Sequence, residues 1–533
     1  MSDLLESLQF FSPELLLVIF GVFTLISDAT LSKRDSAKCV SIALMGVITA
    51  ILASIILYAF FPAGDKAIMI FSGQLSIDKF GLMFKIIILV GTALVMMYAP
   101  SAREFHGRRM GEYYLLLMIA AIGMCMLVTA NTMLMLYLSL ETMSLCCYLL
   151  VGYLKEDRRS SEAALKYLIF GGVSAAIMLY GISLLYGVTG TLVISEIGPV
   201  LEMLKYPTPT PDSAKLGVPV LMGVLHNSMA VWVALAMILG GIFYKVAVVP
   251  FHFWSPDAYE GAPTPVSAFL SVASKAAGMG ILIRIVSEII VPIYEPFRSI
   301  YGTVQIAEIN LWPYIFAVIA VLSMFLGNLA ALRQKDVKRM LAYSSIAHAG
   351  YMMIGITVAT YNATNLISPT GVYNSEGFVA VMFYLVVYTF MNIGAFLVAM
   401  VVINQKGNCR LEAFNGLVYR SPFLAIAMGF FLFSLAGLPP TGGFIGKFYL
   451  FKAAINDGWY WLTFLGLINS VISLYYYARV MNAMTFVQPD TEAELHTEPL
   501  DRVVMGLCIF PIIVTGLYFW PVYSFSLNSF NIW

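Results

Sequence analysis

Seven cations of this sequence fall inside stretches apolar enough to dissolve in lipid: Lys85, Lys166, Lys245, Lys275, Arg284, Lys447 and Arg479. A charge at the centre of a bilayer costs about 3 kcal/mol on insertion scales, so each of these needs a reason to be there. Lys245 and Lys275 stand deepest, half-way along their apolar runs and roughly 15 Å from either surface at 1.5 Å per helical residue. A lysine stem snorkels only part of that distance. Between the two lie Pro250, Pro256, Pro263 and Pro265, which remove backbone donors and break helices. Broken backbone at membrane depth persists only where protein or water satisfies the freed groups. Costly cations beside a broken helix are what an ion path requires.

Other residues carry the same implication with different weight. Glu141, in LYLSLETMSLCCYLL, is the deepest acid. Desolvation penalises a lone carboxylate, so it should be neutral or paired with Lys166 or Lys245. A pair that breaks and re-forms would also serve as a proton carrier. Lys166 lies about two helical turns into its run, near snorkelling range. In SLAGLPPTGGFIGKFYLF, Pro439, Pro440, Gly442 and Gly443 precede Lys447, a second broken segment with a lysine. Its glycines do not make a phosphate loop, because Thr441 takes the first Gly position and Phe448 the Ser/Thr position. His348, near mid-depth in YSSIAHAGYMMIG, either bridges the lysine clusters or is a hydrogen-bonded core histidine. His252, just beyond Pro250, is a candidate proton carrier between path and cytoplasm. Lys85 reads as snorkelling, and Arg284 and Arg479 as paired or snorkelling. His106, His226 and His496 read as loop or surface residues.

The elements that must position these residues are membrane helices. The 533 residues are 60% hydrophobic and 11% charged, against roughly 25% charged in soluble domains. The net charge is zero, and no basic patch interleaved with exposed aromatics suggests nucleic acid. The six cysteines form no CxxC pair, so they read as buried small hydrophobes rather than zinc or iron–sulfur ligands. The first ten residues hold Asp3 and Glu6 but no Lys or Arg, unlike a cleaved signal.

At about 20 apolar residues per crossing, the chain divides into about fourteen spans, with weights on 225–254 (span 7), 262–292 (span 8), 338–360 (span 10) and 421–453 (span 12). The expected fold is an all-α polytopic membrane protein with spans 7 and 12 broken. Broken, oppositely directed helices in corresponding positions are the mark of an inverted repeat around a midplane path. Spans 4–8 (residues 112–294) and 9–13 (residues 311–487) form the two five-helix units. Spans 1–3 occupy residues 1–111, and the last span residues 502–533. Loop lysines and arginines following odd-numbered spans number about 17, against about 6 on the other face. That bias places both termini outside. Residues 62–79 suggest a short hairpin. Residues 190–224 suggest an amphipathic surface helix or a solvated linker, followed by a turn at PTPTPD.

The runs KVAVVPFHFWSPDAYEGAPTPVSAFLSVASKAAG, RQKDVKRMLAYSSIAHAGY and GLPPTGGFIGKFYLF resemble the antiporter-like membrane subunits of respiratory complex I and of Na+/H+ antiporter complexes. Within that family they resemble the subunit N type (complex I subunit 2) most. The resemblance covers nearly the whole chain; the loops 190–224 and 361–375 read as particular to it. It implies fourteen helices, two inverted repeats, and proton pumping driven by quinone reduction elsewhere in a complex. It maps the proton-transfer groups onto Glu141, Lys166, Lys245, Lys275 and Lys447, and less firmly onto His348. Protons would then enter near Lys166 and Lys245, pass Lys275 and His348 through water, and leave near Lys447. It further implies a bacterial inner membrane, neighbouring antiporter-like subunits as partners, and no cofactor in this chain. NADH or another donor, flavin, iron–sulfur clusters and quinone would belong to the partner subunits. Exchange against Na+ is the alternative activity. A scaffold through which no proton passes is a further one, and quinone reduction by the chain itself lacks ligands for an electron donor.

Overall fold

The computed structural model describes residues 2–32, 36–62, 67–205, 229–293, 310–365, 376–489 and 494–530. The turn at PTPTPD, His226 and most of the loop 361–375 lie outside these residues. Among the described residues, twelve helices are long and apolar enough to cross a membrane. These are α2 (Ser12–Thr30), α3 (Val40–Ala59), α4 (Lys79–Tyr98), α5 (Gly111–Val128), α6 (Met133–Val151), α7 (Arg158–Thr189), α11 (Thr264–Ile293), α12 (Trp312–Arg333), α13 (Val337–Asn365), α14 (Glu376–Lys406), α17 (Tyr460–Thr485) and α18 (Pro499–Leu517). A short α1 (Ser2–Phe10) and α19 (Trp520–Ser529) flank them.

The two expected broken spans are where the shorter helices lie. Span 7 ends earlier than its hydropathy suggests. The helix α9 (Met229–Val246) stops at Ala247, which adopts a left-handed φ of 61°, a conformation that disfavours a side chain with Cβ. The chain resumes as the two-turn helix α10 (Trp254–Gly261) before entering α11. Span 12 divides into α15 (Pro422–Ala436) and α16 (Gly442–Asn456). Gly437 closes α15 at φ 81°, the left-handed C-terminal stop that glycine adopts without penalty. The last span likewise ends at Leu517, and residues from Trp520 form α19.

Burial separates an inner from an outer set. The described length of α11 is enclosed by protein, and α13, α4 and α14 are largely so. By contrast α2, α3, α7 and α18 turn most of their surface outward. Their exposed positions are Leu, Ile, Val and Phe, such as Ile19, Val22 and Ile26 of α2 and Leu165, Ile169 and Val173 of α7. α11 is not a plain α-helix: π-helical turns occupy Leu270–Ser274 and Val286–Ile290. Such turns interrupt the regular i to i−4 ladder and recur at functional sites.

The expected hairpin is present as β1 (Ile68–Ile70) and β2 (Leu75–Ile77), antiparallel with Ile68 opposite Ile77. It rests on the turn between α5 and α6, where Ser76 N donates to Thr129 O (2.8 Å) and Asn131 Nδ2 to Gly73 O (2.8 Å). Thr132 caps α6 by accepting from Met135 N, which explains how so short a turn divides two apolar runs. The amphipathic helix expected after residue 190 is α8 (Ile194–Lys205). It lies so close to the end of α11 that a Cβ on Gly198 would sit 2.5 Å from Glu288 O.

Candidate functional site

Lys245 occupies the last turn of α9 and is buried. Its Nζ donates to Ser144 Oγ of α6 (2.9 Å) and to the Tyr167 hydroxyl of α7 (3.1 Å). The Tyr167 ring is also 5.3 Å from the amine, within the range where a ring face attracts a cation. Tyr167 stacks on Trp254 of α10, with ring centroids 4.3 Å apart and an 11° interplanar angle.

Lys275 follows the first π-helical turn of α11 and is buried as deeply. Its Nζ donates to Ser345 O of α13 at 2.6 Å. The Ser345 hydroxyl accepts from Tyr388 (2.9 Å), and Asn392 donates to Tyr388 (3.0 Å) and to Ser271 (2.7 Å). Three residues beyond Ser345, His348 contacts the Tyr384 hydroxyl through Nδ1 (2.5 Å) and the Tyr477 hydroxyl through Nε2 (3.2 Å). Tyr477 continues to Ser344 (2.5 Å). The cations whose field reaches His348 are Lys447 and Lys275.

Lys447 is buried on α16 and reaches back across the break. Its Nζ donates to Leu435 O (3.1 Å), Ala436 O (2.9 Å) and Ser470 Oγ (3.2 Å). The carbonyls at the end of α15 carry the negative end of that helix dipole, a natural seat for an ammonium. Gly437 leaves room for the stem: a Cβ there would stand 2.8 Å from Lys447 Cδ. The Tyr351 ring lies 4.7 Å from the amine and 5.8 Å from the His348 ring.

Two buried groupings result. Lys275, His348 and Lys447 share one: Ser345 holds Lys275, and the Tyr351 ring lies against both His348 and the Lys447 amine. Lys245 with Ser144 and Tyr167 forms the other, and α10 lies between them, with Trp254 stacked on Tyr167 and Tyr259 in reach of Ser345. The hydroxyls in both can donate and accept.

The remaining candidates are placed differently. Lys166 is part-exposed and pairs with Asp257 (2.8 Å) and Glu162 (2.9 Å). Glu141 is half-buried on α6, and among the described residues no ion pair joins it to Lys166 or Lys245. The pairing expected from the sequence is therefore replaced: Lys166 takes Glu162, four residues earlier on α7, and the sequence-remote Asp257, and Lys245 takes neutral hydroxyls. The cation whose field reaches Glu141 is Lys245. His252 is buried with its ring against Phe253 and no partner for Nδ1.

Lys85 does not snorkel, and Arg284 takes the paired alternative. Lys85 is fully buried and stands 2.7 Å from Glu14 of α2, in a contact too poorly aligned to count as a hydrogen bond. Arg284 is buried between Asp78 (2.8 Å) and Glu288 (3.0 Å), and also donates to Val128 O (3.1 Å). Arg479 donates to Leu332 O and Gln334 O at the end of α12, capping that helix.

The hydroxyl and amide partners of these groups were absent from the sequence candidates. Their signal is a polar stripe at helical spacing inside an apolar span: Tyr384, Tyr388 and Asn392 at i, i+4 and i+8 on α14, and Ser344, Ser345, His348 and Tyr351 on α13.

A many-spanning helical bundle with broken helices and buried amines set among hydroxyls and carbonyls defines a class of ion-translocating membrane protein. Residues 130–473, more than half of the chain, match the family described as NADH:quinone oxidoreductase/Mrp antiporter, transmembrane. The chain belongs to this family. It is 38% identical over 537 residues to NADH-quinone oxidoreductase subunit N 2 of Sorangium cellulosum, covering 99% of this chain and 98% of that protein. It is 39% identical to NADH-quinone oxidoreductase subunit N of an Anaeromyxobacter species, covering 99% and 97%. A chain of respiratory complex I from Thermus thermophilus superposes with a TM-score of 0.72 at 29% identity, covering 96% of this chain and 98% of that one.

Proposed function

We propose that this chain is a proton-translocating membrane-arm subunit of an NADH–quinone oxidoreductase, acting without a redox centre of its own. The observation that carries the reading is the burial of four ionisable groups, Lys245, Lys275, His348 and Lys447, among hydroxyls and carbonyls inside the bundle. Transport gives these amines a reason to occupy a low-dielectric interior that disfavours their charge. Protons reach Lys245 from the side of Lys166, move along hydroxyls and water past Lys275 and His348, and leave by Lys447. Glu141 sets the charge seen by Lys245. The energy comes from quinone reduction in partner subunits that hold NADH or another donor, flavin, iron–sulfur clusters and quinone. The chain resides in the bacterial inner membrane with both termini outside and neighbouring antiporter-like subunits beside it.

The test is Lys245→Ala in the complete complex. The expected result is assembly with proton pumping lost or reduced at least ten-fold. Normal pumping contradicts the reading. Measuring transport in proteoliposomes with and without Na+ separates it from cation exchange, which requires Na+.

A further inference from the structure

Asp257 has a cation on either side. Lys166 of α7 lies 2.8 Å from its Oδ2, and Arg339 of α13 lies 2.8 Å from its Oδ1. Arg339 also reaches Glu260 at 2.6 Å, and the neighbouring Lys338 donates to Ala262 O at 2.7 Å. Thr264 N, two residues on, donates to Glu104 Oε2 at 2.7 Å. Every one of these grips falls on α10 or on the chain leading out of it. Burial opposes ionisation of Asp257, but the Lys166 hydrogen bond and the Arg339 charge outweigh it and hold the carboxyl below its ordinary value.

The helix so gripped is two turns long and follows a break. An isolated helix of that length has little stability of its own, so its place is fixed by its contacts. The same helix also meets the proposed proton line. Trp254 stacks on Tyr167, the hydroxyl partner of Lys245, and its Nε1 donates to Tyr244 O at 2.9 Å. Tyr259 lies in reach of Ser345, whose carbonyl holds Lys275. Lys166 and Tyr167 are adjacent in sequence, and both hold α10, one by charge and the other by its ring.

We infer that Asp257 is a positioning residue for proton transfer between Lys245 and Lys275: pinned between Lys166 and Arg339, it keeps α10 where Trp254 and Tyr259 order the partners of the two lysines. The inference rests on the proposed pumping function and adds to it a coupling element that touches neither amine.

The experiment uses the complete complex in proteoliposomes and reads protons moved per quinone reduced. Asp257→Asn should lower this ratio at least two-fold, and Asp257→Glu should recover most of it. Arg339→Lys should also lower the ratio, because one guanidinium nitrogen, Nη1, meets both carboxylates and the lysine stem carries its ammonium to a different place. A full ratio in Asp257→Asn overturns the inference. Should Asp257→Asn fail to assemble, Arg339→Lys decides alone: a lowered ratio supports the clamp and a full ratio overturns it. Lys245→Ala is measured beside them. Normal pumping there removes the underlying function, whereas its loss together with a full ratio in Asp257→Asn removes only the clamp.

Discussion

At the scale of single residues, the arrangement replaces ionic partners by neutral ones. Lys245 takes two hydroxyls and Lys275 a backbone carbonyl, while Lys447 takes two carbonyls and a hydroxyl. A carboxylate at these places would hold the ammonium too firmly to release a proton, whereas a hydroxyl stabilises the charge modestly and accepts either protonation state. Tyr167→Phe tests this. It keeps the ring that stacks on Trp254 and deletes only the oxygen at 3.1 Å from Lys245. Leaving a buried polar group short of a partner costs about 1–3 kcal/mol. The expected outcome is an assembled complex whose pumping rate falls several-fold, read as pH-gradient formation in proteoliposomes. The carboxyl of Asp257 responds to pH with a definite sign. Its pKa in the folded chain is depressed, so its ion pairs contribute fully above the unfolded value of about 3.9. The contribution is lost as the pH falls through the lower folded value. The gap in detergent melting temperature between the unaltered protein and Asp257→Asn should therefore be full above about pH 4 and narrow as the pH falls further, because the variant lacks the group that titrates.

At the scale of elements, ion pairs join helices that the hydrophobic effect alone would leave free to slide in lipid. Arg284 ties α11 to Asp78, which also caps α4 by accepting from Gly81 N at 2.6 Å. Glu288 completes the cluster beneath α8. Removing one partner of a buried cluster leaves charges uncompensated, at a cost of about 3–5 kcal/mol, whereas replacing all by apolar or neutral groups is often tolerated. Arg284→Gln should lower the melting temperature in detergent markedly. Asp78→Asn, Arg284→Met and Glu288→Gln combined should recover much of the loss, and an equal loss in the triple variant would sink the ion-pair account. The helices themselves were legible in the sequence, because twenty-residue apolar runs with proline and glycine at their breaks leave few alternatives. Lys245, Lys275 and Lys447 were legible for the same reason, as cations where none belongs. Partners were not. Lys166 and Asp257 are separated by 91 positions, and no periodicity links them. Lys85 lay near enough to its helix start to read as snorkelling, and only the packing of α2 against the bundle reveals Glu14 beside it.

For the whole molecule, the half-buried Glu141 poses a problem that this chain does not solve by itself. It stands on α6 in the stripe Leu134, Leu138, Leu145 and Leu149, whose side chains are exposed. The spacing puts all five on one helix face. Aliphatic residues there would suit lipid, but a carboxylate at that depth would not. Under the proposed function this face is covered by a neighbouring membrane-arm subunit that offers Glu141 a cation or a hydrogen-bond donor. On the stripe of α7 that includes Ile169 and Val173 the acid is Glu162, which lies in the second turn and is already paired with Lys166. Single cysteines at Leu138 and at Val173, treated with a lipid-soluble maleimide, separate the possibilities. In the chain purified alone, both should react. In the complete complex Leu138→Cys should be protected at least five-fold relative to the lone chain, because the neighbour seals the face around the carboxylate. Equal labelling of Leu138→Cys in both states would mean that the stripe faces lipid. Glu141 would then have to be neutral in the resting protein, and the charge it is proposed to impose on Lys245 would be absent.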